Sequence, residues 1–201
     1  MRKPKLRRWT ASLALTLGLG LVEPAAADSS FRGELQSVLA DLERGESMRL
    51  EGKSSEAQQI TDDAARRLNV ASFGVFGNYT MIWSGLLVGQ QSVEALGSCF
   101  DEVLLLGAVA QKTFEYEQAL GNSLYATIAQ YLIDYWYSTY QNDLQQKKLL
   151  LGFANPLVQN KDQLLEAVDR QLESLQIVKT LPPAELEVRR QQLLDQLRGG
   201  G

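Results

Sequence analysis

From Leu68 to Val93 the chain reads LNVASFGVFGNYTMIWSGLLVGQQSV, without one Asp, Glu, Lys or Arg; Arg67 precedes it and Glu94 follows. Wound as a helix at about 100° per residue, the stretch sorts into two unlike sides. Gly74, Asn78, Met81, Gly85 and Ser92 share one side, flanked by Gly77 and Gly89; Val75, Phe76, Tyr79, Ile82, Trp83 and Leu86 share the other. Neither side is an obvious one to give to water. The pattern predicts a buried, glycine-containing central helix of a bundle, with a neighbour packed closely along Gly74, Gly77, Gly85 and Gly89. A membrane span is the rival reading, because about 20 apolar residues cross a bilayer and Gly85-Leu-Leu-Val-Gly89 has small-xxx-small spacing. Ser72, Asn78, Thr80, Ser84, Gln90 and Gln91 weigh against it, since lipid offers them no hydrogen bonds. The flanks also lack a Lys/Arg cluster to set an orientation. Membrane contact is therefore the less favoured alternative.

The amino terminus has the make-up of a secretory signal. Arg2, Lys3, Lys5, Arg7 and Arg8 form a basic region, Ala11 to Val22 an apolar one, and Ala25-Ala26-Ala27 a small-residue site with cleavage expected before Asp28. Residues 1–27 are thus expected to be removed, leaving an exported, periplasmic or secreted protein. Removal takes five of the 20 basic residues and one of the 24 acidic ones, so 15 basic stand against 23 acidic, a net charge of −8. Such a chain is repelled by phosphate backbones, which argues against nucleic acid as a partner. The single cysteine, Cys99, has no internal partner for a disulfide, so packing alone must stabilise the fold. It is expected as a small buried hydrophobe. Histidine is absent, which excludes His-based triads, HExxH zinc sites and ExxH di-iron sites.

Every segment with a period has the helical one. Phe31, Leu35, Val38, Leu39 and Leu42 recur in steps of three and four after Ser30, a candidate N-cap; Ala57, Ile60, Ala64 and Leu68 follow a turn at Gly52-Lys53. In this pair Gly45, Gly52, Ala57 and Ala64 have the spacing of the small positions of a tetratricopeptide repeat, and the pair resembles one such unit. The aromatic positions of that family hold Asp41, Met48 and Ser54 here, its closing proline is Asn69, and no second copy follows. The resemblance implies a helical hairpin over residues 31–69 and no solenoid.

Beyond the uncharged stretch, Val93 to Leu120 is apolar on most sides, with Gly97 and Gly107 as expected points of close approach. Gly121-Asn122 is a stop and Ser123 a start for a helix to Gln146, whose core stripe is expected as Leu124, Ile128, Tyr131, Leu132 and Tyr135. Asn160 and Gln163 stand at capping-box spacing before Leu165, Val168, Leu172 and Leu175. Leu181-Pro182-Pro183 turns into a last helix bearing Leu186, Leu193, Leu194 and Leu197, ahead of a flexible tail at 199–201.

Few residues suggest chemistry. Tyr125, Trp136 and Tyr140 lie off the expected core stripe and are the candidates for a ligand groove or partner surface, since aromatics combine apolar area with a polar tip. Leu165, Leu172, Leu186 and Leu193 are candidates for a partner-binding hairpin with coiled-coil contacts. Glu94, Asp101 and Glu102 are expected as ordinary charges near a helix start, and Asp134 as part of a solvated face. No metal site, cofactor or catalytic residue is expected. No GxSxG or SxxK context supports a serine hydrolase.

The sequence therefore predicts an all-α, single-domain bundle of about six or seven helices: a core over 28–158 and a C-terminal helical hairpin over 159–198. The function expected is a non-enzymatic protein of the cell envelope that binds a protein partner. A carrier of small apolar ligands with a Tyr/Trp-lined pocket is the alternative. So is a membrane-associated protein using residues 68–110.

Overall fold

The computed structural model describes residues 24–89, 91–153, 158 and 160–199, with side chains from Phe31 onward. The signal-sequence reading of residues 1–23 and the tail reading of residues 200–201 lie outside the described residues. Six helices follow in order: α1 (Pro24–Leu50), α2 (Ser54–Leu87), α3 (Val93–Ala119), α4 (Ser123–Phe153), α5 (Lys161–Thr180) and α6 (Pro183–Gly199). The protein is all-α, a helical bundle, and no strand occurs among the described residues. The backbone of α1 is already helical at Pro24, so Ser30 lies inside a helix and does not cap it.

Helices α1 and α2 form the expected hairpin. Gly52 takes a left-handed φ of +81° at the turn, a region costly for a residue with a β-carbon. Just beyond it the helices touch: a β-carbon at Gly45 would lie 2.6 Å from Thr61 Oγ1 and 3.4 Å from the Ala57 carbonyl. From there they diverge. At the far end Phe31, Glu34, Gly74 and Asn78 line an open groove, and a β-carbon on Gly74 or Gly77 would meet nothing within 4 Å. The close packing expected at Gly74 and Gly77 is therefore absent. Gly85 is crowded only by Gln91 in the following loop. Gly89 serves that loop through its φ of +72°.

The helix enclosed by the others is α3, which packs on α1, α2, α4, α5 and α6. Leu96, Phe100, Val103, Leu104, Leu105, Leu106 and Val109 are all buried, since neighbours cover nearly its whole circumference. Here a glycine is needed for contact: a β-carbon on Gly107 would collide with the Tyr137 hydroxyl. At Gly97 nothing comes within 4 Å. The helix ends in a Schellman turn, with Asn122 N–H donating to the Glu117 carbonyl at 2.9 Å and Gly121 N–H to that of Gln118 at 3.0 Å.

The last two helices each pack on the bundle at a separate seat. Helix α5 packs on α4 and α3, and α6 on α3 and α1. Leu181 is extended (φ −61°, ψ 138°), so the chain leaves α5 without folding straight back along it. Asn160 precedes α5 in the left-handed region and makes no side-chain cap, which removes the capping box.

Candidate functional site

The seam between α2 and α4 is the most distinctive part of the molecule. Its inner layer is a polar network among aromatic rings. Tyr79 and Tyr140, both buried, stand with ring centroids 4.7 Å apart. The Tyr79 hydroxyl donates to Asp143 Oδ2 at 2.5 Å, and Lys147 Nζ donates to the same oxygen at 2.7 Å. Lys147 also lies over the Tyr79 and Trp83 rings, at 5.3 and 5.2 Å from their centroids, within cation–π range. Tyr140 donates to Gln171 Oε1 at 3.2 Å, and Gln171 Nε2 donates to the Leu96 carbonyl at 3.0 Å. Four helices are thereby fixed to one another. Burial raises both tyrosines well above the usual phenol range, and the hydrogen bond to Asp143 raises Tyr79 further. These hydroxyls are donors held in place, not bases.

Outside this layer the aromatic contacts continue into solvent. Phe76 of α2 meets Trp136 of α4 edge-on at 5.5 Å, Trp136 meets Tyr135 at 6.1 Å, and Tyr135 stacks on Tyr131 at 5.3 Å. Trp136 is 7 % exposed, whereas Phe76, Tyr135 and Tyr131 are 40, 47 and 61 % exposed. Around them α2 and its end expose Val70, Phe73, Met81, Leu87 and Val88, and α4 exposes Leu124, Leu149, Leu150 and Phe153. Of the fifteen large apolar side chains exposed among the described residues, eleven belong to this pair of helices, Val88 caps α2, and only Leu50, Ile177 and Val188 lie elsewhere. Scattered exposed apolar residues are ordinary; a concentration of this kind marks an interaction surface.

The surface differs from the expected one. Trp136 and Tyr140 are buried and Tyr125 is half-buried, so the three do not form an open groove. Leu124, Tyr131 and Tyr135, expected in the core, face outward. The true core stripe of α4 is Ala126, Ala129, Leu132, Trp136, Tyr140, Leu144 and Leu151. Two alanines open that stripe, and they carry too little apolar area to stand out beside the tyrosines. The partner hairpin is also corrected: Leu165, Leu172 and Leu193 are half-buried against the core, and Leu186 lines a small cleft with Leu104 and Tyr137. They are occupied in closing the bundle. The void bordered by Trp136 and Tyr137 holds about 10 Å³, no more than one water needs and far below a ligand pocket. Phe73 and Met81 lie at the surface although their helix segment carries no charge, because freedom from charge does not by itself require cover.

The remaining polar candidates are separate from this face. Among the described residues no group of three or more His, Cys, Asp or Glu could hold a metal ion. Cys99 is buried, and Asp134 is exposed, as expected. Glu102 lies well inside α3, not at its start, where it is buried and accepts a 3.4 Å hydrogen bond from Asn78 Nδ2. Glu117, wholly covered, is pushed up to about 7 by burial and by the Asp62 carboxylate, against a smaller opposing effect of the Asn122 amide. No known family, curated protein or solved structure matches the chain.

Proposed function

We propose that this chain is an exported, non-enzymatic protein of the cell envelope whose work is to bind a protein partner, and that it does so through the outer face of α2 and α4. One observation carries the reading: that face is apolar, aromatic and exposed, whereas elsewhere among the described residues only Leu50, Ile177 and Val188 expose large apolar side chains. Its tyrosines and phenylalanines supply large contact area at small conformational cost, which suits a protein interface. Export rests on the signal-like amino terminus.

The alternatives have less support. A carrier needs an enclosed cavity, and the void by Trp136 is about 10 Å³. No helix among the described residues is long and apolar enough to cross a membrane, and of residues 68–110 the α3 portion is largely buried. The test is in two steps. Cell fractionation with N-terminal mass determination should find the protein in the envelope fraction, beginning at Asp28. Cross-linking there should then capture a protein that Phe73→Glu releases. A full-length protein retained in the cytoplasm, or capture indifferent to Phe73, would overturn the proposal.

A further inference from the structure

We propose that the occupant of the α2/α4 face is a second copy of this chain, paired face to face about a two-fold axis. This rests on the docking reading above and names the partner.

Charge selects the occupant. A two-fold interface sets each patch against itself, so any net charge on it meets its own kind. Helix α2 brings no formal charge after Arg67. On α4 Asp143 and Lys147 neutralise each other inside the seam at 2.7 Å, and Asp134 stands about 60–100° round the helix from Tyr131 and Tyr135, at the rim. The face can therefore oppose a copy of itself without repulsion, although the processed chain as a whole carries −8. A lipid surface is the poorer fit. Helices that lie on membranes border their apolar side with Lys and Arg and are drawn by anionic lipid; here Arg66 and Arg67 beside Val70, and Lys147 and Lys148 on α4, are each paired with a carboxylate of the chain itself (Asp63, Asp41, Asp143 and Asp169).

Area agrees. Twelve apolar side chains exposed by 40 to 88 %, each offering on the order of 100 Å², present roughly 1,000 Å², against about 800 Å² per partner in a standard interface. Shape agrees as well. Gly77, with nothing within 4 Å of a β-carbon, leaves a shallow strip near Phe73 and Met81 where a ring of the second copy can seat.

The test is sedimentation equilibrium of the full chain as its host processes it. The expected mass is twice that of the monomer. Phe73→Glu and Tyr131→Glu, both at exposed positions, should each raise the dissociation constant about tenfold or more with helicity unchanged; Val188→Glu on α6 should leave it alone. A wild-type chain that stays monomeric at its solubility limit overturns the proposal, as does a dimer indifferent to both glutamates. If the chain is monomeric yet Phe73→Glu still releases a captured envelope protein, self-pairing falls and the docking reading stands. If it is monomeric and floats with phosphatidylcholine vesicles, both fall.

Discussion

The two halves of α2 bury the same kind of stripe and present opposite faces to solvent. In the first half Ala57, Thr61, Ala64 and Ala65 are covered, while Asp63, Arg66 and Arg67 lie outside. Arg67 reaches α1 to pair with Asp41 at 3.0 Å and Glu34 at 3.4 Å. In the second half Leu68, Val75, Tyr79, Ile82, Trp83 and Leu86 are covered, and the outer face holds Val70, Phe73 and Met81 with no charge. The buried stripe explains the helix in both. What differs is what the outer face is for: a charged face ends at water, and an uncharged one of this size awaits another surface. Absence of charge is therefore a different property from burial.

The largest effects should separate covered from exposed aromatics on α4. Trp136→Ala should cost about 3–5 kcal/mol, whereas Tyr135→Ala, studied at dilutions where the chain is a monomer, should stay within about 0.5 kcal/mol. Urea denaturation of the two variants checks this, and equal losses would break the contrast between seam and surface. Next comes Glu117 of α3, whose pKa is raised by burial and by Asp62 in the charged half of α2. Glu117 titrates near 7 in the fold against an ordinary 4.5, so between those values the folded chain holds a proton that the unfolded chain has released. Stability should fall as pH rises through that window, by up to about 3 kcal/mol, and the loss should be complete above pH 7. Glu117→Gln should abolish this decline, seen as urea midpoints that no longer differ through Glu117 between mildly acid and mildly alkaline buffer.

Within the seam, Asp143→Ala should cost about 1–3 kcal/mol, because it strands the Tyr79 hydroxyl and the Lys147 ammonium together. A loss much below that would mean water replaces the carboxylate. The smallest effect belongs to the exposed face. Gly77→Ala should stabilise the monomer by about 0.5–1 kcal/mol, since a helical glycine costs backbone entropy and the new methyl meets nothing. The same change at Gly107 should destabilise the chain, because the methyl collides with Tyr137. Thermal midpoints moving in opposite directions would sharpen the distinction between a glycine that faces solvent and one that admits a neighbour.

Much of this architecture was legible in the residues themselves. The steps of three and four, the Gly52 and Gly121 stops and the Leu181-Pro182-Pro183 turn place the helices, because local sterics and apolar spacing act within one helix. The small residues Gly45, Ala57 and Ala64 also foretold the α1/α2 hairpin. The site was less legible. Tyr131 and Tyr135 fit an apolar stripe as well as Trp136 and Tyr140 do, and a period defines a stripe only to within its width.

What the sequence determined by itself is the all-α class, the turns at Gly52 and Gly121, and the placement of an uncharged stretch in one helix; it did not set all the helix ends, since α1 begins at Pro24, before Ser30, and α4 runs past Gln146 to Phe153. Only the tertiary structure decided which side of that stretch is covered. Six helices leave one position surrounded by all the others, and α3 takes it, apolar on most sides and cut back at Gly107 to admit Tyr137. Helices α2 and α4 must then flank α3 and each keep an outer side. Periodicity records how residues are arranged around one helix axis, whereas exposure depends on how many neighbours that axis acquires, and no single segment carries that number.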